Sequence, residues 1–314
     1  MRVASLFSGA GGMDLGFIRA GHRVVWAIDS YEDAVETYRR NIGDHVILGD
    51  IRGVASKEVP DCDIVMGGFP CQGFSVANVS RREEDSRNLL YLELLRIITD
   101  KQPIFFVAEN VKGILSLAKG RVVAMIMDDF ASAGYRVACK VLNAADYGVP
   151  QTRERVILVG VRLDIGIHVS FPEPTHADPD SEAQPSLFDT RMKPWVSIGE
   201  ALAHIPEPED APDLPNHTYS KYKLRFNNYL GHRRVDPGRP APTVTARGDD
   251  RGGVVVLHHP GNHRRMSCRE MAIAQSFPMG FVFVGSQTSV YRQVANAVPP
   301  LMAEAIARAF PREV

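Results

Sequence analysis

The sequence predicts an α/β fold: a mostly parallel sheet flanked by helices, joined to a second, smaller β-rich unit. Three observations carry this reading. Over residues 1–170, short apolar runs rich in β-branched residues alternate with segments of helical period. A glycine-rich turn follows the first run and leads into a helix, the arrangement of a ligand-binding βα unit. Beyond residue 171 the alternation stops and proline, glycine and asparagine break the chain into short pieces.

Strands are predicted at 2–7, 23–28, 46–48, 64–66, 105–108, 136–142 and 156–161. Between them, 31–41, 89–99 (LLYLELLRIIT) and 122–133 repeat apolar residues at i, i+3 and i+4, and Gly134 stands where a helix stop belongs. Residues 171–215 are proline-rich and acidic with no sustained period, which is loop chemistry. Short β-like pieces (TVTA, VVVL, FVFV) follow within 217–283, the expected β-rich unit. The last segment, LMAEAIARAF at 301–310, is an amphipathic helix whose apolar face needs a core, so it is expected to return to the first domain. The domain reading is therefore 1–172 completed by 289–314, with 173–288 as the small unit.

Composition narrows the function. At 45% hydrophobic, 314 residues can bury one full core and a satellite. No run of 18 apolar residues occurs, and MRVASLF lacks the regions of a signal peptide, so a soluble cytoplasmic protein is expected. Four cysteines without a C-x-x-C pair suggest neither a disulfide framework nor a cysteine-rich zinc site; a special cysteine would act alone. His258, His259, His263 and Cys268 match no zinc spacing, and no metal is expected. The net charge of −1 hides an asymmetry: residues 216–270 carry eleven Lys/Arg against four acids, with five histidines besides. A polyanion could bind there.

The chemistry-bearing residues sit at predicted strand ends. SLFSGAGGMDLGF (5–17) brings backbone N–H groups to a ligand, yet it fails G-x-G-x-x-G because Asp14 stands at the third glycine position. Asp29 ends the second strand, where a carboxylate can accept from ribose hydroxyls, and Asp50 ends the third. Either acid could equally cap a helix. The fourth strand runs into GGFPCQGFS (67–75), whose Cys71 is surrounded by Pro, Gln, Gly and Ser in place of a core's aliphatics. The fifth ends in Glu109-Asn110, bringing a carboxyl toward the same rim, so that a nucleophile and a proton donor stand together. In QTRER (151–155) alternate residues share a face; taken alone the run reads as a surface ion-pair cluster around Glu154.

In this order the motifs resemble those of the DNA cytosine-5 methyltransferases of bacterial restriction-modification type. The resemblance rests on FSGAGG (7–12), Asp29, GDI (49–51), GGFPCQGFS, ENV (109–111), QTRER, RPAPTVTA (239–246) and YRQVANAVP (291–299). It implies a Rossmann-like S-adenosylmethionine-dependent domain with a small target-recognition domain. It further implies that Cys71 attacks C6 of a cytosine flipped out of double-stranded DNA, with Glu109 at N3, Arg155 at O2 and Arg153 beside them. The cofactor pocket it implies uses Phe7, Gly9, Gly11, Asp29, Asp50, Ile51, Phe69 and Pro70, completed by Asn296 and Val298, with S-adenosylhomocysteine as product. Gln72, Ser75, Arg233, Arg234 and Arg247 are the candidate DNA contacts. Two departures stand out: Asp29 where glutamate is usual, and Ala295 where glycine commonly precedes Asn296. The resemblance also implies a bacterial, monomeric modification enzyme with a cognate restriction endonuclease as its candidate partner.

Three other readings compete. A tRNA-cytosine enzyme of the same fold would depart in the recognition region, a binding module would lack the intact Cys71, Glu109, Arg153 and Arg155, and an amino-group methyltransferase would carry Asn/Asp-Pro-Pro-aromatic in place of PCQ.

Overall fold

The computed structural model describes residues 1–70, 89–168, 170–180, 192–221, 223–226, 232–245 and 255–311. Seven strands build the main sheet: β1 (Arg2–Leu6), β2 (Arg23–Asp29), β3 (Val46–Leu48), β4 (Ile64–Gly68), β5 (Phe105–Val111), β6 (Tyr135–Asn143) and β7 (Glu154–Arg162). Their spatial order is β3-β2-β1-β4-β5-β7-β6. The first five are parallel, while β7 runs antiparallel to both β5 and β6.

Burial on both faces explains why these strands read as continuous apolar runs. In β5, Phe105 and Val107 belong to one core while Phe106 and Ala108 belong to the other. In β7, Ile157, Val159 and Val161 alternate in the same way with Val156 and Leu158. Helices α1 (Gly12–Arg19) and α2 (Glu32–Asn41) cover the first face, and α3 (Leu89–Lys101) and α4 (Arg121–Ser132) the second.

The small unit differs from a regular β domain among the described residues. One two-residue parallel ladder pairs β8 (His176–Ala177) with β9 (Lys193–Pro194), and isolated bridges join Thr245 to Val255 and His258 to Arg265. The helices α5 (Ile198–Leu202) and α6 (Cys268–Ala274) supply more of its order, and α7 (Gln287–Asn296), almost all of it in the returning segment, packs into the same core. The FVFV piece shows why strand chemistry gave no ladder. Phe281 and Phe283 turn inward and pack with Phe277 at ring separations of 4.8 to 5.1 Å. Side-chain amides take the place of a neighbouring strand. Asn41 accepts from Val282 N and donates to Val282 O, both at 2.8 Å, and Asn216 treats Phe283 likewise at 2.8 and 2.9 Å.

The last helix, α8 (Pro300–Arg308), returns to the first domain as its apolar face requires. Met302, Ala303, Ile306 and Ala307 join Met13 and Phe17 of α1 in one core, and the Phe310 ring lies 5.0 Å from that of Phe105. The crossing is close because Gly16 lacks a side chain: a Cβ there would stand 2.5 Å from both the Ala303 Cβ and the Glu304 backbone nitrogen. Gly16→Ala is therefore expected to destabilise the protein by about 1–3 kcal/mol, the usual cost of overpacking. Gly53→Ala, where a Cβ meets nothing within 4 Å, is the control and should stay within about 0.5 kcal/mol. Urea unfolding of both variants checks this, and equal stabilities would show that the α1–α8 approach is not tight.

Candidate active site

The strand order reverses between β1 and β4, and ligands of open α/β sheets bind at the carboxyl ends of the strands at such a point. A cavity of about 510 Å³ opens there, walled by the ends of β1, β2, β4 and β5 and closed by Gln293 and residues 295–298 from the far end of the chain. Of the predicted cofactor residues, Phe7, Gly9, Asp29, Phe69, Pro70, Asn296 and Val298 line it.

The glycine turn is shaped by backbone conformation. Phe7 and Gly9 both have positive φ, 55° and 54°, and Gly11 caps α1 at 87°. For Phe7 this left-handed conformation costs roughly 1–2 kcal/mol, strain held by the surrounding structure at the cavity wall. Asp29 holds the turn in place: one carboxylate oxygen accepts from Gly9 N and the other from Tyr31 N, both at 2.8 Å. It does not cap α2, whose N-cap is Tyr31 with no side-chain cap, and each carboxylate oxygen keeps a further lone pair for a ligand donor. Burial pushes its pKa upward, opposed by those backbone donors.

Gly11, Asp50 and Ile51 lie outside the lining. A Cβ on Gly11 would meet Ile42 and Tyr38, so this glycine serves the packing of α1 on α2. Asp50 caps a short 3₁₀ turn by accepting from Arg52 N at 3.0 Å and pairs with the Arg52 guanidinium, while Ile51 is buried in the second core.

Across the cavity Glu109 pairs with Arg155, carboxylate to Nε at 2.8 Å, with side chains only 12% and 10% exposed. Gly68 lies opposite Glu109 in the parallel register, and a Cβ there would be 2.9 Å from the free end of the carboxylate. Asn110, buried beside it, donates to Phe69 O at 2.9 Å and so fixes the chain as β4 exits toward Pro70. Cys71, Gln72, Ser75 and Arg247 fall outside the described residues.

QTRER is not a surface cluster. Glu154 faces outward and pairs with Lys112 at 2.8 Å, while Gln151, Arg153 and Arg155 turn inward, as the pleat requires. Arg153 is 1% exposed and donates to Val244 O at 2.8 Å, Ala295 O at 2.7 Å and Ala297 O at 3.0 Å. Burial drives its pKa down, and the neighbouring Arg155 adds to this. Its geometry is that of a tie between the recognition segment and the cavity wall. Gln151 and Gln275 extend the tie: Gln151 accepts from Val244 N at 3.0 Å and donates to Gln275, which donates to Val294 O at 2.7 Å.

Arg233 and Arg234 are exposed, and the Arg234 guanidinium lies 4.5 Å from the centre of the Phe226 ring, itself 45% exposed. Sequence reasoning missed Asp14, Tyr31, Gln275 and Gln293. A usable signal existed for two of them: Asp14 and Gln275 each interrupt an apolar helical stripe, MDLGF and MAIAQSF. Among the described residues no group of His, Cys, Asp and Glu is arranged to hold a metal, and no helix is long and apolar enough to cross a membrane.

The family model of C-5 cytosine-specific DNA methylases matches residues 1–312. The Type II methyltransferase M.NgoFVII of Neisseria gonorrhoeae is 41% identical over 95% of this chain and 83% of its own. M.BsuRI of Bacillus subtilis is 37% identical over 98% and 78%. Among solved structures, S. pombe Dnmt2 methyltransferase superposes with a TM-score of 0.68 at 20% identity, covering 98% of this chain and 96% of its own, a likeness of fold. Since the family match runs through every element that builds the cavity, this chain belongs to the C-5 cytosine-specific DNA methylases, enzymes that draw their methyl group from S-adenosylmethionine.

Proposed function

We propose that this enzyme methylates C5 of a cytosine flipped out of duplex DNA, through a covalent bond between Cys71 and C6, as the modification component of a restriction-modification system. The observation that carries the reading is the buried Glu109–Arg155 pair, which opens on the same cavity as Asp29 and Asn296 and adjoins the Phe69–Pro70 exit that leads in sequence to Cys71. The named relatives are Type II methyltransferases, which supports the biological setting.

The cavity fits a nucleoside cofactor: it has the size of a small-molecule site, a glycine at positive φ on its wall, and a carboxylate with unused lone pairs. Asp29 would accept from ribose hydroxyls, Phe7, Phe69 and Pro70 would meet apolar faces, and Asn296 and Val298 would close the far wall. When bound, S-adenosylmethionine supplies an electrophilic methyl group.

Cytosine C5 is a poor nucleophile until electron density is delivered to it. The Cys71 thiolate forms a bond to C6 while Glu109 shares a proton with N3, so the ring gains charge without bearing it all. Arg155 holds O2 and, in the free enzyme, keeps the Glu109 carboxylate oriented. With S-adenosylmethionine bound, C5 would then take its methyl carbon as the carbon–sulfur bond breaks, leaving the neutral thioether. Loss of the C5 proton expels the thiolate and restores aromaticity. A stacked base cannot be reached this way, so the base leaves the helix at a cost of a few kcal/mol.

Residues 173–288 would read the DNA. Their basic part includes Arg233 and Arg234, and the excess of positive charge over 216–270 favours phosphate contact. A cognate endonuclease is the partner this reading implies, and the enzyme would act as a cytoplasmic monomer.

Cys71→Ser should abolish methylation and the denaturation-resistant adduct with duplex DNA carrying 5-fluorocytosine, because fluorine blocks the elimination step. An adduct formed by Cys71→Ser, seen as a shifted band on a denaturing gel, would contradict the assignment. Glu109→Gln keeps a hydrogen-bonding group but cannot deliver a proton. Its single-turnover rate should fall roughly 100-fold or more while cofactor affinity stays near wild type. A near-normal rate would reduce Glu109 to a structural end of β5.

A further inference from the structure

Asp14 is a buried acid at the cavity that the mechanism above does not use. Its side chain is 0% exposed, it contributes to the cavity wall, and among the described residues it has no cationic partner. Two hydroxyls meet it: towards the ionised carboxylate Ser5 Oγ donates to one oxygen at 3.0 Å and Tyr38 OH to the other at 2.9 Å, and a protonated Asp14 reverses the bond to Tyr38. The Tyr38 hydroxyl also lies 3.0 Å from His45 Nε2, and His45 is only half-buried. A buried carboxyl is thereby joined to the protein surface through one tyrosine.

The groups facing Asp14 are few. Asp29 of β2 is the charged neighbour acting on it; it repels a second negative charge. Glu304 and Arg308 of α8, the helix packed on the other side of α1, pair with each other at 2.6 Å. Asp44 and Arg23 act on His45, with opposite signs, and burial keeps His45 below its ordinary value. Glu109, Arg153 and Arg155 line the same cavity and are engaged elsewhere, Glu109 with Arg155 and Arg153 with three carbonyls.

We propose that Asp14 is the residue by which the cavity distinguishes a cationic sulfonium cofactor from its neutral thioether product. The proposal rests on the cofactor assigned above. With the thioether or an empty cavity, Asp14 is a neutral acid whose O–H donates to Tyr38, whose own hydroxyl donates to His45 Nε2. With the sulfonium bound, Asp14 is a carboxylate: its proton passes to the Tyr38 oxygen, the Tyr38 proton passes to His45 Nε2, and His45 Nδ1 releases one proton to water. Tyr38 and His45 end neutral, so the exchange is one cation bound for one proton lost. Desolvation already raises Asp14 to about 7, which puts this exchange in the physiological range.

The sulfonium and thioether ligands share their amino and carboxylate groups, so the ratio of their dissociation constants isolates the charge on sulfur. Isothermal titration of the full chain with S-adenosylmethionine and with S-adenosylhomocysteine should show this ratio shifting about tenfold toward the sulfonium between about pH 5.5 and about pH 8.5, the effect of a one-unit displacement of the Asp14 titration. Asp14→Asn should flatten the pH dependence of the ratio. Tyr38→Phe removes a donor to the ionised form, and should keep the slope but move its midpoint to higher pH. A flat ratio in the wild type, an unchanged slope in Asp14→Asn, or an unmoved midpoint in Tyr38→Phe would each overturn the proposal while leaving the cofactor reading intact. Failure of both ligands to bind at any pH would overturn the two together.

Discussion

A helix that ends in the interior leaves carbonyls that water cannot reach, and α7 ends in this way against the cavity. Arg153 and Gln275 satisfy Val294, Ala295 and Ala297, and in the same stroke they reach Val244 directly and through Gln151. Much else follows from this junction. It holds residues 295–298 where they complete a cavity whose other walls come from the first strands. It also joins four stretches separate in sequence, 151–153, Val244, Gln275 and 294–297, through hydrogen bonds that involve no carboxylate, so geometry, not charge neutralisation, determines its partners. Removing such a donor would leave several buried acceptors unpaired, at about 1–3 kcal/mol each.

The Glu109–Arg155 pair obeys a different logic. A largely buried ion pair gains little net stability, because desolvation of both charges offsets their attraction. Its value lies in arrangement. Neighbouring positions on β5 and β7 aim an acid and a forked donor at one opening, and the missing side chain of Gly68 leaves room for the carboxylate. Asn110, next in sequence, reaches the opposite way to hold Phe69. One strand end therefore orients the candidate proton donor and steadies the approach to the candidate nucleophile.

The sheet was legible in the sequence to within a few residues, because its strands are buried on both faces and alternate cleanly between two cores, as Phe105 to Ala108 do. The α6 and α7 helices were not. Arg269 and Glu270 look like surface residues, yet both are buried: Arg269 donates to the carbonyls of Pro215 and Phe281, and Glu270 receives Arg264 through two contacts of 2.7 Å. FVFV carried strand chemistry, but its partners are asparagine side chains that no local pattern announces. At the site, motif order pointed to Glu109 and Arg155. What the motifs did not announce is that Arg153 meets three carbonyls and that Asp50 pairs with Arg52 two positions later. Pairing across the fold is invisible to a linear reading.

The central claim is that a cytosine in duplex DNA is the group modified, at C5. Bisulfite sequencing of a plasmid recovered from cells expressing the protein tests it most directly. The account predicts cytosines that resist conversion at one fixed position of a recurrent short sequence, and at no such position in plasmid from cells making Cys71→Ser. A plasmid converted throughout, from cells that contain the folded protein, would contradict it.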